Sequence, residues 1–279
     1  MAGSLSLRER ILAAAMVVCI ALLLVFLWTF PTVSANIPKD KADLIETTVS
    51  RMIAGVLFLL TILYMDFPLL SLHRLPSGKA LLLSLPALVI AVNNFPIIGL
   101  ATGLVRVVKW ELFPLLLLSC IATGLFEEAA FRGVIFPLLL RSAMRFTDRH
   151  KPRRVSPEAL AIFLAIFGAS AVFALTHALN LLVGASPLSV ILQIGYSFLI
   201  GGMCALVLLL TGNILVPALI HALFNLGGYL IPTLGTGDLW DAPTVVLTVV
   251  VSLVVILYFL TLLFKMSEED IRRVLPDHT

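Results

Sequence analysis

An all-α polytopic membrane protein, with about eight transmembrane helices around an intramembrane polar cavity, is the architecture the sequence predicts. Three observations predict it. The 279 residues are 60% hydrophobic and only 13% charged, about half the charge of an ordinary soluble domain. Apolar runs of roughly 20 residues recur along the whole chain, each long enough to cross a bilayer. Lys and Arg are confined almost entirely to alternate connections between those runs.

The runs fall at 11–30, 45–66, 80–101, 112–140, 158–183, 187–211, 213–231 and 242–264. The first is longer than a signal-peptide core and has no small-residue cleavage site after it, so it reads as a retained helix. The third carries Asn93, Asn94 and Pro96, which predict a break or a tilt. The fourth exceeds the bilayer thickness and so predicts a tilt or an extension into water. One membrane domain, 1–279, is expected, with 112–231 as its functional core.

Arg8 and Arg10, Arg74 and Lys79, Arg141, Arg145, Arg149, Lys151, Arg153 and Arg154, and Lys265, Arg272 and Arg273 put 13 cations in one set of segments. Lys39, Lys41, Arg106 and Lys109 are the 4 in the other. The positive-inside rule then predicts cytoplasmic N- and C-termini and an even number of spans, in a plasma membrane. The basic segment from Arg141 to Glu158 is expected at the cytoplasmic surface, against anionic lipid. Cys19, Cys120 and Cys204 lie in apolar runs without CxxC spacing and read as core residues. The chain has no Gly-rich phosphate loop and no soluble domain, and nucleic acid is not an expected partner.

The fourth run holds the sequence Phe126-Glu127-Glu128-Ala129-Ala130-Phe131-Arg132. One charge at the bilayer centre costs about 2.5–3.5 kcal/mol, and such groups face a protein interior or a water-filled cavity. In a helix, Glu128 and Arg132 stack on one face as an acid-before-base pair four residues apart. Glu127 points about 100° away from Glu128 and about 140° from Arg132. Glu128 is thus neutralised locally, while Glu127 is free to act as a general base.

Two other runs carry polar groups: His177, four residues after Phe173, and the pair His221 and Asn225. Pro217, His221, Asn225 and Gly228 form one stripe, and Ser197, Gly201 and Ala205 form a second stripe of small residues suited to close helix packing. Three helices therefore deliver a carboxylate, an imidazole, and an imidazole with an amide to one place. That set suits amide hydrolysis. Glu127 and His177 would hold and deprotonate a water, and His221 and Asn225 would donate hydrogen bonds to the oxyanion. Two His and one Glu also match a catalytic zinc set. No His-Glu-x-x-His motif is present and Asn225 is better suited as a donor, so no cofactor is expected.

Glu-Glu-x-x-x-Arg, Phe-x-x-x-His and His-x-x-x-Asn, in this order and in separate spans, resemble the CAAX protease and bacteriocin-processing family. These are glutamate-type intramembrane endopeptidases related to the type II CAAX prenyl endopeptidase. The resemblance covers about 115–225 and rests on Glu127, Glu128, Arg132, Phe173, His177, His221 and Asn225, with Gly201-Gly202 and Gly212-Asn213-Ile214-x-x-Pro217 beside them. It implies an eight-helix core. Glu127 and His177 would activate water, His221 and Asn225 would form the oxyanion hole, and Glu128, Arg132 and Phe173 would shape the site. It also implies a membrane-associated protein or peptide as substrate. A non-catalytic scaffold or bacteriocin-immunity factor using the same cavity is the rival reading. A proton-coupled carrier is disfavoured, because the chain has no duplicated half with paired broken helices.

Overall fold

The computed structural model describes residues 7–70, 76–150, 156–237 and 242–275. Arg74, Lys151, Arg153 and Arg154 lie outside the described residues, as do the side chains of Arg8 and Arg10. The chain is all-α apart from one two-stranded ladder. Helices α1 (Leu7–Ser34), α2 (Lys39–Tyr64), α3 (Gly78–Asn93) and α4 (Ile97–Thr102) precede α5 (Phe113–Ala130) and α6 (Phe136–His150). Then come α7 (Pro157–Thr176), α8 (Pro187–Thr211), α9 (Leu215–Leu234), α10 (Ala242–Leu263) and α11 (Glu268–Arg272).

Among the described residues, 6 helical segments are long and apolar enough to cross a membrane. Of the expected spans, 80–101 is the one that comes out divided. Helix α3 stops after 16 residues at Asn93, and α4 begins only after Pro96. Proline lacks the N–H that would continue the helix. Asn93 and Asn94 anchor this break. Asn93 Nδ2 donates to Thr248 Oγ1 of α10 at 3.0 Å, and Asn94 Nδ2 donates to the Phe224 carbonyl of α9 at 2.7 Å.

The span expected at 112–140 instead belongs to a helical segment of 41 residues, Trp110–His150. At 1.5 Å per residue it is about 60 Å long, twice a hydrocarbon core. It is not a regular α-helix throughout. Phe131–Ile135 form a π-helical turn between α5 and α6. Past that turn, α6 is amphipathic, with Leu140 and Thr147 buried and Arg145 and Arg149 exposed. The span expected at 158–183 keeps α-helical geometry only to Thr176, and His177–Val183 continue as a tighter 3₁₀ stretch.

Local sequence sets several of these ends. Ser156 and Ser186 accept from the backbone N–H groups of Ala159 and Ser189 at 3.1 and 3.2 Å, and Pro157 and Pro187 open α7 and α8. Both are standard helix-start chemistry. Strand β1 (Arg106–Val107) pairs antiparallel with β2 (Gly235–Thr236) and ties the approach to α5 to the end of α9. At the other end, Arg273 donates to the Leu210 carbonyl at 3.1 Å while Val274 and Leu275 are buried, so the C-terminal segment clasps α8.

The main core gathers around the second half of α8. Every residue from Met203 to Thr211 is buried, so this stretch is wrapped on all sides. Helices α3, α7, α9 and α10 and the C-terminal segment supply the wrapping.

Candidate active site

Glycine lets the site helices approach. A Cβ at Gly124 of α5 would lie 2.7 Å from the Ala218 carbonyl oxygen and 3.0 Å from the Ala222 nitrogen of α9. Backbone therefore touches backbone there, and the turn that follows on α5 carries Glu127 and Glu128 to His221. At Gly201 of α8 a Cβ would lie 2.9 Å from Arg132 Nη2, so the missing side chain makes room for the guanidinium.

The expected Glu128–Arg132 pair is present although Arg132 sits within the π turn. Arg132 Nη1 is 3.1 Å from Glu128 Oε1, with the two side chains 1% and 0% exposed. Arg132 Nε donates to the Gly201 carbonyl at 3.4 Å, and the guanidinium lies 4.4 Å from the centre of the Phe173 ring. The Phe173 ring also stands edge-on to His177 at 5.1 Å and to His221 at 5.8 Å. Phe173 is thus the shared wall of both imidazoles and the cation. Glu128 Oε2, Arg132 Nη2 and Ser170 Oγ are buried without a hydrogen-bond partner among the described residues.

His221 is almost wholly buried between the two carboxylates. Its Nδ1 is 2.7 Å from Glu128 Oε1 and its Nε2 is 3.4 Å from Glu127 Oε2. His177, the first residue past α7, has Nδ1 3.2 Å from the Phe173 carbonyl oxygen. Glu127, His177, His221 and Asn225 all line one cavity, together with Thr123, Phe173, Gln193, Tyr196, Ser197, Ile200, Phe224 and Tyr229.

Sequence reasoning passed over several of these. Asn180, one turn past His177, had no evident role in the sequence, yet its Nδ2 donates to Gln193 Oε1 at 2.7 Å and locks the 3₁₀ stretch to α8. Tyr229 lies four residues after Asn225, on the same face of α9, a spacing that could have flagged it. Arg51 of α2 lies over the Phe126 ring, 5.0 Å from its centre, beside the residue preceding Glu127.

A bound metal would need several ligand atoms converging on one point. Among the described residues, Glu127, His177 and His221 do not converge. The three groups that do are Glu128, Cys204 and His221, whose ligand atoms lie within 4.8 Å of one another. They fit a catalytic cation poorly. All three are buried, whereas a catalytic zinc keeps an open position. Glu128 Oε1 already faces Arg132 and His221, and a guanidinium 3.1 Å from that oxygen would repel a dication placed there.

A family model described as Rce1-like, type II CAAX prenyl endopeptidase Rce1-like, matches residues 109–227. The matched segment is similar to the Rce1-like CAAX protease family. It runs from the turn before α5 to the middle of α9, so it contains every carboxylate, imidazole and amide just described. No curated protein and no solved structure matches the chain. The protein is an integral membrane protein by its helices and by this family.

Proposed function

We propose that the protein is an intramembrane endopeptidase that hydrolyses a peptide bond in a membrane-associated protein or peptide. The observation that carries this reading is the meeting of Glu127, His177, His221 and Asn225 on one cavity, inside the Rce1-like segment. Among the described residues lining the cavity, no other group offers the nucleophile and base of a covalent mechanism. Ser197 and Thr123 have no hydrogen bond to an imidazole.

Water is the attacking group. The Glu127 carboxylate takes one of its protons as the oxygen bonds to the scissile carbonyl carbon. His177 donates Nδ1–H to the Phe173 carbonyl, which leaves Nε2 as an acceptor to orient that water. The carbonyl oxygen becomes an oxyanion facing the Asn225 amide and His221 Nε2, with His221 acting as an imidazolium whose Nδ1–H donates to Glu128 and whose Nε2–H donates to the oxyanion. One preorganised donor of this kind contributes about 2.7–4 kcal/mol. The carbon–nitrogen bond then breaks, and the proton held by Glu127 passes to the departing amine. Both termini are assigned to the cytoplasm of a plasma membrane, from the 13-to-4 split of cations.

The test compares membrane fractions from cells carrying wild-type protein or Glu127→Gln at equal abundance. Peptide ends present only with wild type are expected, and hydrolysis of such a substrate by the purified variant should fall about 10²–10⁴-fold. Identical peptide ends, with the wild-type phenotype kept by the variant, would favour a scaffold that binds partners in the same cavity.

A further inference from the structure

The two cavity histidines are held in different ways. His177 leans on a neutral carbonyl, whereas His221 leans on a carboxylate that already has a cation of its own. A structural ion pair between Glu128 and Arg132 needs no third member. Yet the contact from His221 Nδ1 to Glu128 Oε1, at 2.7 Å, is shorter than the 3.1 Å contact from Arg132 to the same oxygen.

Glu128 is fully buried beside Arg132, and an adjacent guanidinium keeps a carboxylate ionised. An ionised carboxylate can only accept, so the hydrogen between these atoms belongs to His221 Nδ1. The ring then has one orientation available, with Nε2 turned toward Glu127 Oε2 and the cavity. Everything behind Glu128 serves to keep its oxygen in place. Arg132 is fixed by the Gly201 carbonyl and by the face of Phe173, and the absent side chain of Gly201 leaves space for Nη2.

We infer that Glu128 is a positioning residue for the reaction: it pins the hydrogen on His221 Nδ1 and aims Nε2 at the reacting groups. Its importance for turnover rests on the peptidase reading, but the pinning itself does not. Adjacent glutamates thus divide the work, Glu127 meeting the water and Glu128 meeting only the imidazole. The arrangement parallels metal sites, where a carboxylate behind a histidine fixes its tautomer and its loss costs about 10–100-fold.

The experiment is nitrogen-resolved proton NMR of the full-length, histidine-labelled protein in lipid nanodiscs, with the His221 signal identified by its loss in His221→Gln. Wild type and Glu127→Gln are expected to show a downfield Nδ1-proton resonance from the carboxylate bond, and Glu128→Gln to lack it. On a cleaved substrate, Glu128→Gln should lower kcat about 10–100-fold with KM within about twofold, and Glu128→Asp should recover part of the rate. Gly201→Ala crowds Arg132 without touching Glu128 or His221. It should weaken the resonance and lower kcat in the same direction, and it serves if Glu128→Gln does not fold. Persistence of the resonance in Glu128→Gln, or its loss with kcat unchanged, would overturn the inference. A wild type that cleaves nothing would defeat the peptidase reading instead, and the resonance would still decide whether Glu128 pins His221.

Discussion

Helices α8 and α10 are both apolar spans, yet they occupy opposite environments. The more hydrophobic one is the less buried. The apolar window of α10 has a mean hydropathy of 2.9 and is 11% buried, whereas that of α8 has 2.1 and is 67% buried. In water the order would be reversed. In a bilayer, lipid tails solvate Val and Leu as well as a protein interior does, so hydropathy does not draw a helix inward. What does is close approach and polar contact. Helix α8 offers Ser197, Gly201, Cys204 and Ala205 to its neighbours. Helix α10 offers a Val-rich surface, with Thr248 meeting Asn93 and Tyr258 donating to the Leu83 carbonyl of α3.

Four substitutions would break or sharpen that contrast. The largest effect is expected where a charge is enclosed. Arg132→Leu strands Glu128 in the interior and should cost about 3–5 kcal/mol of stability, measured by thermal unfolding in detergent. Next comes packing without charge. Gly124→Ala forces a methyl group against the α9 backbone and should cost about 1–3 kcal/mol, while Val250→Ala on the exposed face of α10 should change stability by less than about 0.5 kcal/mol. Equal losses at both positions would mean that α10 packs on something as tightly as α5 packs on α9. The smallest effect belongs to the link between the 3₁₀ stretch and α8. Asn180→Ala removes one hydrogen bond worth about 0.5–1.5 kcal/mol and should lower kcat/KM severalfold by freeing Gln193, with the unfolding temperature little changed.

The same contrast explains how much could be read from sequence. Glu127, Glu128, Arg132, His177, His221 and Asn225 stand out because ionisable or amide groups are costly in an apolar run, so each asks for a reason. The structure gathers all six around one cavity and its floor. Gln193, Tyr196 and Tyr229 carry no comparable penalty, and Tyr is common at membrane interfaces, so the same sequence logic passes over them. Asn180 was invisible because its partner lies across a turn that periodicity cannot describe. The break after Asn93 was legible because proline has a local signature. The π turn was not, since Phe131-Arg132-Gly133-Val134-Ile135 is an ordinary apolar helix sequence apart from its arginine.

That π turn has one more effect. A turn of this kind accommodates one residue more than an α-helical turn does. Everything beyond Ile135 is therefore out of phase, by about 100°, with the helix that carries the two glutamates. One continuous helix can in this way answer to two directions: α5 presents its acids to α9, while α6 presents Leu140 and Thr147 to the protein and Arg145 and Arg149 to the outside. Removing a single residue from the turn would restore a more regular helix and misdirect one end of it, so the irregularity keeps the buried acids and the exposed cations compatible within one rod.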